Sequence, residues 1–399
     1  MTESAGMEVS YLEARDDWAR DPSAYRRALR QFIATEPGLD RWRGGDYPTT
    51  EDRMRDNAAL SKLLSEGGWN RYGWPVSAGG LGGDERHRAV MYDELSAAGL
   101  AVPEQNKLLE TLGPAVLRFA PDLAVQFMPS YLAGEEWWGQ GFSEPEAGSD
   151  LAGLRCRARR AGETYVLSGQ KIWTSHGATA RRLICLVRTG TLESRHRGLS
   201  MIMVDTDTPG VTIRPIALAS GHNELAEVFF DDAVVPASRL LGQEGEGWAV
   251  AMYLLQFERA MYAWLSATVA SRRLRELRAA LIGRRLPDGA IRRFGECYSD
   301  IATLKARSAD TVRRLAAGRT VGPEASIDKI LLATVETGLH DLARDVLPGE
   351  FLFGDDPAAQ QWRAEWWYSR ASTIMGGSAE VQRGIIADRV LGLPKERGA

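Results

Sequence analysis

The feature that most limits the folds open to this chain is a change of hydrophobic period, made twice. Up to about residue 136 apolar residues recur at helical spacing. Tyr25, Leu29, Phe32 and Ile33 follow Asp21-Pro22, and residues 50–67 form a second run stopped by Gly67-Gly68. Tyr92, Leu95, Leu108, Leu109 and Leu112 continue the pattern, and Val116 to Phe127 ends it. From about 137, short β-rich runs bounded by turn residues take over, at 154–160, 164–168, 170–174, 183–188, 199–205, 211–215 and 227–235. After the glycine-rich segment Gly242 to Gly247 the helical period returns. One long helix is expected from Trp248 to Arg278, with others over 290–317, 324–347, 358–374 and 378–391. The order all-α, all-β, all-α implies an α+β multidomain chain. It has an N-terminal helical domain (1–136), a central antiparallel β-domain (137–241) and a C-terminal helical bundle (242–399).

At the first change of period lies Trp137-Trp138-Gly139-Gln140-Gly141-Phe142-Ser143-Glu144-Pro145-Glu146-Ala147-Gly148-Ser149-Asp150. Its Pro, Gly and Ser residues make a low-bulk loop that can bring backbone N–H groups and hydroxyls close to a planar or anionic ligand. Thr164 to Ser175 follows, expected as two strands joined at Ser168-Gly169, the second ending in Trp173-Thr174-Ser175. Alone, the loop is an ordinary loop and Trp173 an ordinary core residue. Together they resemble the acyl-CoA dehydrogenase family, over about residues 25–395. The resemblance implies bound FAD, an acyl-CoA or acyl-carrier thioester as substrate, and electron-transfer flavoprotein as acceptor. It implies that Gln140, Phe142, Ser143 and Ser149 line the flavin or the thioester, that Trp173 covers a flavin face, and that Ser175 and Ser378 bond the flavin. Ser149, Arg259 and Met375 fall on the substrate side.

Dehydrogenation at Cα–Cβ needs a base for the α-proton and donors for the thioester oxygen. In many family members the base is a Glu near the C-terminus, but the matching stretch here is Ile374-Met375-Gly376-Gly377-Ser378-Ala379-Glu380. Gly376 stands at the base position and cannot accept a proton, though its N–H can still donate to the thioester. Some relatives carry the base on the first long helix of the C-terminal domain, before an Arg. Glu258-Arg259 matches, and on an uninterrupted helix Glu258 shares a face with Ala251, Leu254, Leu255, Met261, Tyr262 and Leu265. Such a stripe raises a carboxyl pKa toward the range of a general base; the alternative is an ion pair within the bundle. Glu380 is not expected to act, and a Glu restored at 376 is expected to recover some rate once Glu258 is lost.

Other readings are weaker. The glycine-rich segment 73–83 lacks the Lys-Ser/Thr ending of a phosphate loop and reads as packing. His176 could touch the flavin edge or solvent. Segments 284–289 and 345–351 only loosely match, or lack, the family's cross-subunit flavin contacts. A homodimer or homotetramer is expected, a hetero-oligomer stays open, and a catalytically silent partner subunit or a same-fold flavin oxidase or monooxygenase are the alternatives. With 44% apolar and 26% charged residues and a net charge of −4, nothing suggests a nucleic-acid surface. Cys156, Cys185 and Cys297 are too far apart in sequence for a metal motif, which fits a reducing cytoplasm, and no apolar run approaches membrane-spanning length. No leader is read in residues 1–20.

Overall fold

The computed structural model describes residues 17–43 and 49–394, so most of the stretch read for a leader lies outside the described residues. Helix α1 (Pro22–Thr35) starts where the sequence places it. Asp21 caps the Ser23 N–H, Pro22 sits at N1, and Tyr25, Leu29 and Ile33 turn inward. Helices α2 (Thr50–Glu66) and α3 (Glu85–Ala97) begin at Thr49 and Asp84 caps, the latter a reciprocal capping box with His87. Between them the 73–83 segment packs as expected: Trp74 is buried with the Arg88 guanidinium 4.0 Å from its ring. Helices α4 (Gln105–Phe119) and α5 (Pro121–Leu132) complete the first helical layer.

The sheet holds β1 (Trp138–Gly141), β2 (Arg157–Ala161), β3 (Thr164–Ser175), β4 (Arg182–Arg188), β5 (Leu199–Asp205), β6 (Val211–Ile216), β7 (Leu225–Pro236) and β8 (Leu240–Leu241). Their order is β6-β7-β3-β2-β4-β5-β8, with β1 beside β4. Pairing is antiparallel except β1–β4 and the single β2–β4 contact, which are parallel. Strand β4 is buried along its whole length, so both its faces are covered.

Two expectations are corrected here. Residues 164–175 form one strand, not a hairpin. Ser168-Gly169 is an irregularity within it: Gly169 takes φ +138°, and a Cβ there would come within 2.8 Å of the Cys156 backbone. A Ser-Gly pair serves equally as turn or bulge, and pairing of both halves with β7 decides for the bulge.

The long helix expected from 248 is also two. Helix α6 (Gly247–Glu258) ends at Glu258, and α7 (Met261–Ala280) begins after a break at Ala260, with φ −104° and ψ −82°. No Pro or Gly marks the break. Ala260 is fully buried among Phe257, Met261 and Leu265, so tertiary packing imposes it. Helices α8 (Ala290–Ala316), α9 (Ala325–Val346), α10 (Pro348–Phe353), α11 (Pro357–Ser369) and α12 (Ala379–Ile385) follow. The core around Leu112, Val116, Met201, Leu241, Val250 and Leu254 joins the first helices, the sheet and α6. It seats α6 so that its C-terminal end meets the segment before α12.

Candidate active site

At that meeting point Glu258 and Gly376 face each other. A Cβ built on Gly376 would fall on Glu258 Oε1, below the 3.0 Å that Cβ atoms do not cross, and 3.2 Å from Lys329 Cε. Gly376 takes φ +68°, where a side chain is strained in any case. The missing side chain at 376 is thus the room that the Glu258 carboxylate occupies. Its Oε2 is shut off from solvent with no hydrogen-bond partner. Burial pushes the Glu258 carboxyl above its ordinary range, while the Arg259 and Lys329 charges and a hydrogen bond from Gln140 oppose the rise. The ion-pair alternative is not met among the described residues, where no Arg or Lys forms an ion pair with this carboxylate. Lys329 spends its ammonium on the Ser372 carbonyl, and Arg259 Nε lies buried without a partner. Among the described residues the Gly376 N–H donates to no backbone carbonyl. The apolar stripe reasoned for one helix is halved by the break: only Ala251, Leu254 and Leu255 share α6 with Glu258.

Strand β1 ties this pocket to the end of β3. Gly139 lies where a Cβ would sit 3.3 Å from the Ser175 carbonyl, and the next residue, Gln140, reaches Glu258. Trp173 occupies the second register shift of β3. It takes φ +60°, rare for a bulky residue, and leaves its indole 53% exposed. An exposed aromatic plate held in a strained conformation beside half-buried Ser143 and Ser175 fits a flat ring ligand such as a flavin. The loop at 143–150 is braced from below. Buried Glu144 accepts from the Arg155 and Cys156 N–H groups at 2.6 and 2.8 Å and from Lys171 Nζ at 2.7 Å. Ile172 N–H donates to the Ser143 carbonyl at 2.9 Å.

The residues singled out from sequence therefore separate. Glu258, Gly376 and Gln140 assemble in one pocket, with Arg259 Nη2 3.6 Å from where a Gly377 Cβ would be. Gln140 acts on the Glu258 carboxyl, and Phe142 is 6% exposed and packs in the core with Trp138 and Ala147, leaving its backbone to a ligand. Ser143 and Ser175 flank the exposed Trp173 plate; Ser149 is exposed on the loop and Met375 half-buried beside Gly376. Ser378 caps α12, its Oγ accepting the Val381 N–H at 3.3 Å, while its O–H remains free to donate. Glu380 is 82% exposed and faces Arg383.

Sequence reasoning missed Lys329, the Glu144–Lys171 pair and the place of His176. Lys329 carries no motif. His176, open to flavin edge or solvent in the sequence, is half-buried 3.4 Å from Glu104, in a seam where Arg53 binds Glu104 and Glu224. Burial lowers its pKa, partly offset by those two carboxylates.

The helical–sheet–helical order, the aromatic plate and the buried carboxylate facing a glycine define the class, and comparison agrees. The chain matches the family models "Acyl-CoA dehydrogenase, middle domain" over residues 139–233 and "Acyl-CoA dehydrogenase, C-terminal domain" over 245–391. It belongs to the acyl-CoA dehydrogenase family, oxidoreductases acting on CH–CH bonds whose members are flavoproteins. Among its relatives, acyl-CoA dehydrogenase IpdE1 of Mycobacterium tuberculosis is 36% identical over 88% of this chain and 91% of that protein. The solved Tcur3481–Tcur3483 steroid ACAD superposes with a TM-score of 0.78 at 26% identity, covering 95% of this chain and 100% of that one. The ChsE4–ChsE5 complex from Mycobacterium tuberculosis gives 0.76 at 27% identity, covering 94% and 98%. Among the described residues no helix is long and apolar enough to cross a membrane.

Proposed function

We propose that this enzyme is an FAD-dependent acyl-CoA dehydrogenase that converts an acyl thioester to its trans-2-enoyl thioester, with Glu258 as the base. The placement of the Glu258 carboxylate in the space left by Gly376 carries the reading. Glu258 takes the α-proton as the Cα–H bond breaks, and the Gly376 N–H donates to the thioester oxygen as negative charge gathers there. FAD, when bound, supplies the acceptor for the β-hydride, so that the Cα–Cβ pair leaves as an alkene. Trp173, Ser143, Ser175 and Ser378 would hold the flavin, and Ser149, Arg259 and Met375 would stand on the substrate side. Gln140 fixes the Glu258 rotamer, and burial keeps water from the carboxylate. Reduced enzyme passes its electrons to an electron-transfer flavoprotein. The catalytic unit is the whole chain, divided at 136/137 and 241/242, and it works in the cytoplasm. Anaerobic mixing of purified protein with an acyl-CoA panel tests the reading: bleaching of a bound flavin supports it, and a protein that holds no flavin after reconstitution removes it.

The assembly is open between a homo-oligomer and a mixed one. Two related chains pair in the ChsE4–ChsE5 complex. Here Arg284, in the segment that loosely matches a cross-subunit flavin contact, is engaged by Glu350 of its own chain. Native mass with flavin stoichiometry distinguishes them; one FAD per chain in a homo-oligomer excludes a shared site.

Trp173→Ala is expected to lower FAD retention several-fold and shift the flavin absorption band, because stacking on an exposed indole is lost while the strand stays paired. Unchanged retention and spectrum would remove the plate from the flavin site.

The pH dependence follows from the base. Glu258 works only as carboxylate, so flavin reduction falls as pH drops through its raised pKa. Lys329 is a cation that lowers that pKa; Lys329→Met removes it and should move the midpoint of the profile up. Arg259 and Gln140, the other groups holding the pKa down, are untouched. A midpoint that stays or moves down would show that Lys329 only supports the Ser372 carbonyl.

A further inference from the structure

Beyond the base the chain encloses a cavity of about 540 Å³ between the start of α4, α7, α9, α11 and the 220–224 loop. Tyr262, near the start of α7 and just past Glu258 in sequence, neighbours both. Its phenol interacts electrostatically with Glu258 and with Glu336 and Tyr368 of the cavity wall, and Lys107 Nζ sits 6.0 Å from its ring centroid. Beside Tyr262 this cavity is a space available to the far end of an acyl group whose α-carbon lies at Glu258.

The wall does not suit a hydrocarbon. It carries as many carboxylates (Glu104, Glu224, Glu336, Glu365) as Lys and Arg side chains (Arg53, Lys107, Arg272, Arg273), with two histidines besides. Most are satisfied: Arg53 holds Glu104 and Glu224, and Arg273 holds Glu365 at 2.8 Å. Two are not. Lys107 lines the cavity with its ammonium in the field of Glu104 but in no ion pair among the described residues, and Glu336 lines it with Oε2 buried and unpartnered. An alkyl tail packed against these groups would strip their water and return nothing.

We propose that the acyl group taken by this enzyme carries an uncharged oxygen function, keto or hydroxyl, at the end remote from the thioester, and that Lys107 and Glu336 recognise it. Lys107 donates to the oxygen of either group, and Glu336 accepts from a hydroxyl. A terminal carboxylate is disfavoured, because the balanced wall offers no net positive field and Glu336 would repel it. The cavity is of the size that encloses compact, ring-sized ligands. The inference deepens the dehydrogenase reading and rests on it.

The test compares octanoyl-CoA with its ω-hydroxy, (ω−1)-oxo and ω-carboxy counterparts on the flavin-loaded enzyme, reading kcat/KM for flavin reduction. The oxo and hydroxy compounds should exceed octanoyl-CoA by at least about tenfold, the discrimination expected when a buried polar group is matched rather than left bare. In Lys107→Met the advantage of the oxo compound should shrink toward one, and in Glu336→Gln that of the hydroxy compound should shrink most. Octanoyl-CoA at parity or better, an ω-carboxy compound in front, or variants that slow all four equally would each overturn the proposal. Failure is separable from that of the parent reading: preference for the alkyl tail sinks this inference alone, whereas flavin reduced by none of the four sinks both.

Discussion

Glu258→Gln should reduce its flavin with an acyl-CoA at least about 10³-fold more slowly than the parent, within the range by which a positioned base accelerates proton transfer. The substitution keeps the shape of the side chain and removes its basicity, so FAD content and the flavin spectrum should not change. Among the described residues, none of the groups shown to act on the Glu258 carboxyl is an acid. Glu380 is turned to solvent, and Gln140, Lys329 and Arg259 around the site are not carboxylates. Glu380→Gln should accordingly leave the rate within about twofold, as for an exposed side chain outside the site. If Glu258→Gln reduces its flavin at the parental rate, the base lies elsewhere.

Gly376→Ala should be nearly as damaging, on the order of 10²-fold in flavin reduction. One methyl group is enough, because its carbon would occupy the position of Glu258 Oε1 and because φ +68° costs a non-glycine residue about 1–2 kcal/mol. The carboxylate must swing away, with Lys329 Cε blocking one side at 3.2 Å. The same geometry reverses an expectation drawn from the sequence. Gly376→Glu cannot rescue Glu258→Gln, since the amide fills the same space as the acid. Rescue requires that the room be vacated, as in Glu258→Ala with Gly376→Glu. Measured rates for the two double variants decide this: recovery in the glutamine background would show that the two side chains do not compete for one space.

What the sequence conveyed and what it withheld divide along physical lines. Periodicity located the helical and β regions because each burial pattern repeats over many residues. Glu258 was legible as a lone acid in an apolar run, and Gly376 as a residue type unable to do the chemistry of its position. The break at Arg259-Ala260 was not legible. It has no Pro or Gly, and arises because Phe257, Ala260 and Met261 must fit a core built by residues far away in sequence. The Ser168-Gly169 bulge was misread because its chemistry is that of a turn, and only the partner strand tells them apart. The motif that contains Gln140 and Phe142 does not say which way their side chains turn: Gln140, on β1 beside β4, acts on Glu258, and Phe142, just past β1, packs in the core. The Glu144–Lys171 pair, within the motifs yet structural, braces the loop through backbone N–H groups that no side-chain pattern reveals.

The central claim is that Glu258 removes the α-proton of an acyl-CoA, and it can be measured apart from hydride transfer. An acyl-CoA analogue with sulfur in place of the β-carbon has no β-hydrogen to lose, so exchange of its α-hydrogens in D2O reports proton abstraction alone. The flavin-loaded parent should exchange them well above the rate in buffer, and Glu258→Gln should slow exchange by about 10³-fold at unchanged FAD content. Exchange in Glu258→Gln at the parental rate would contradict the account.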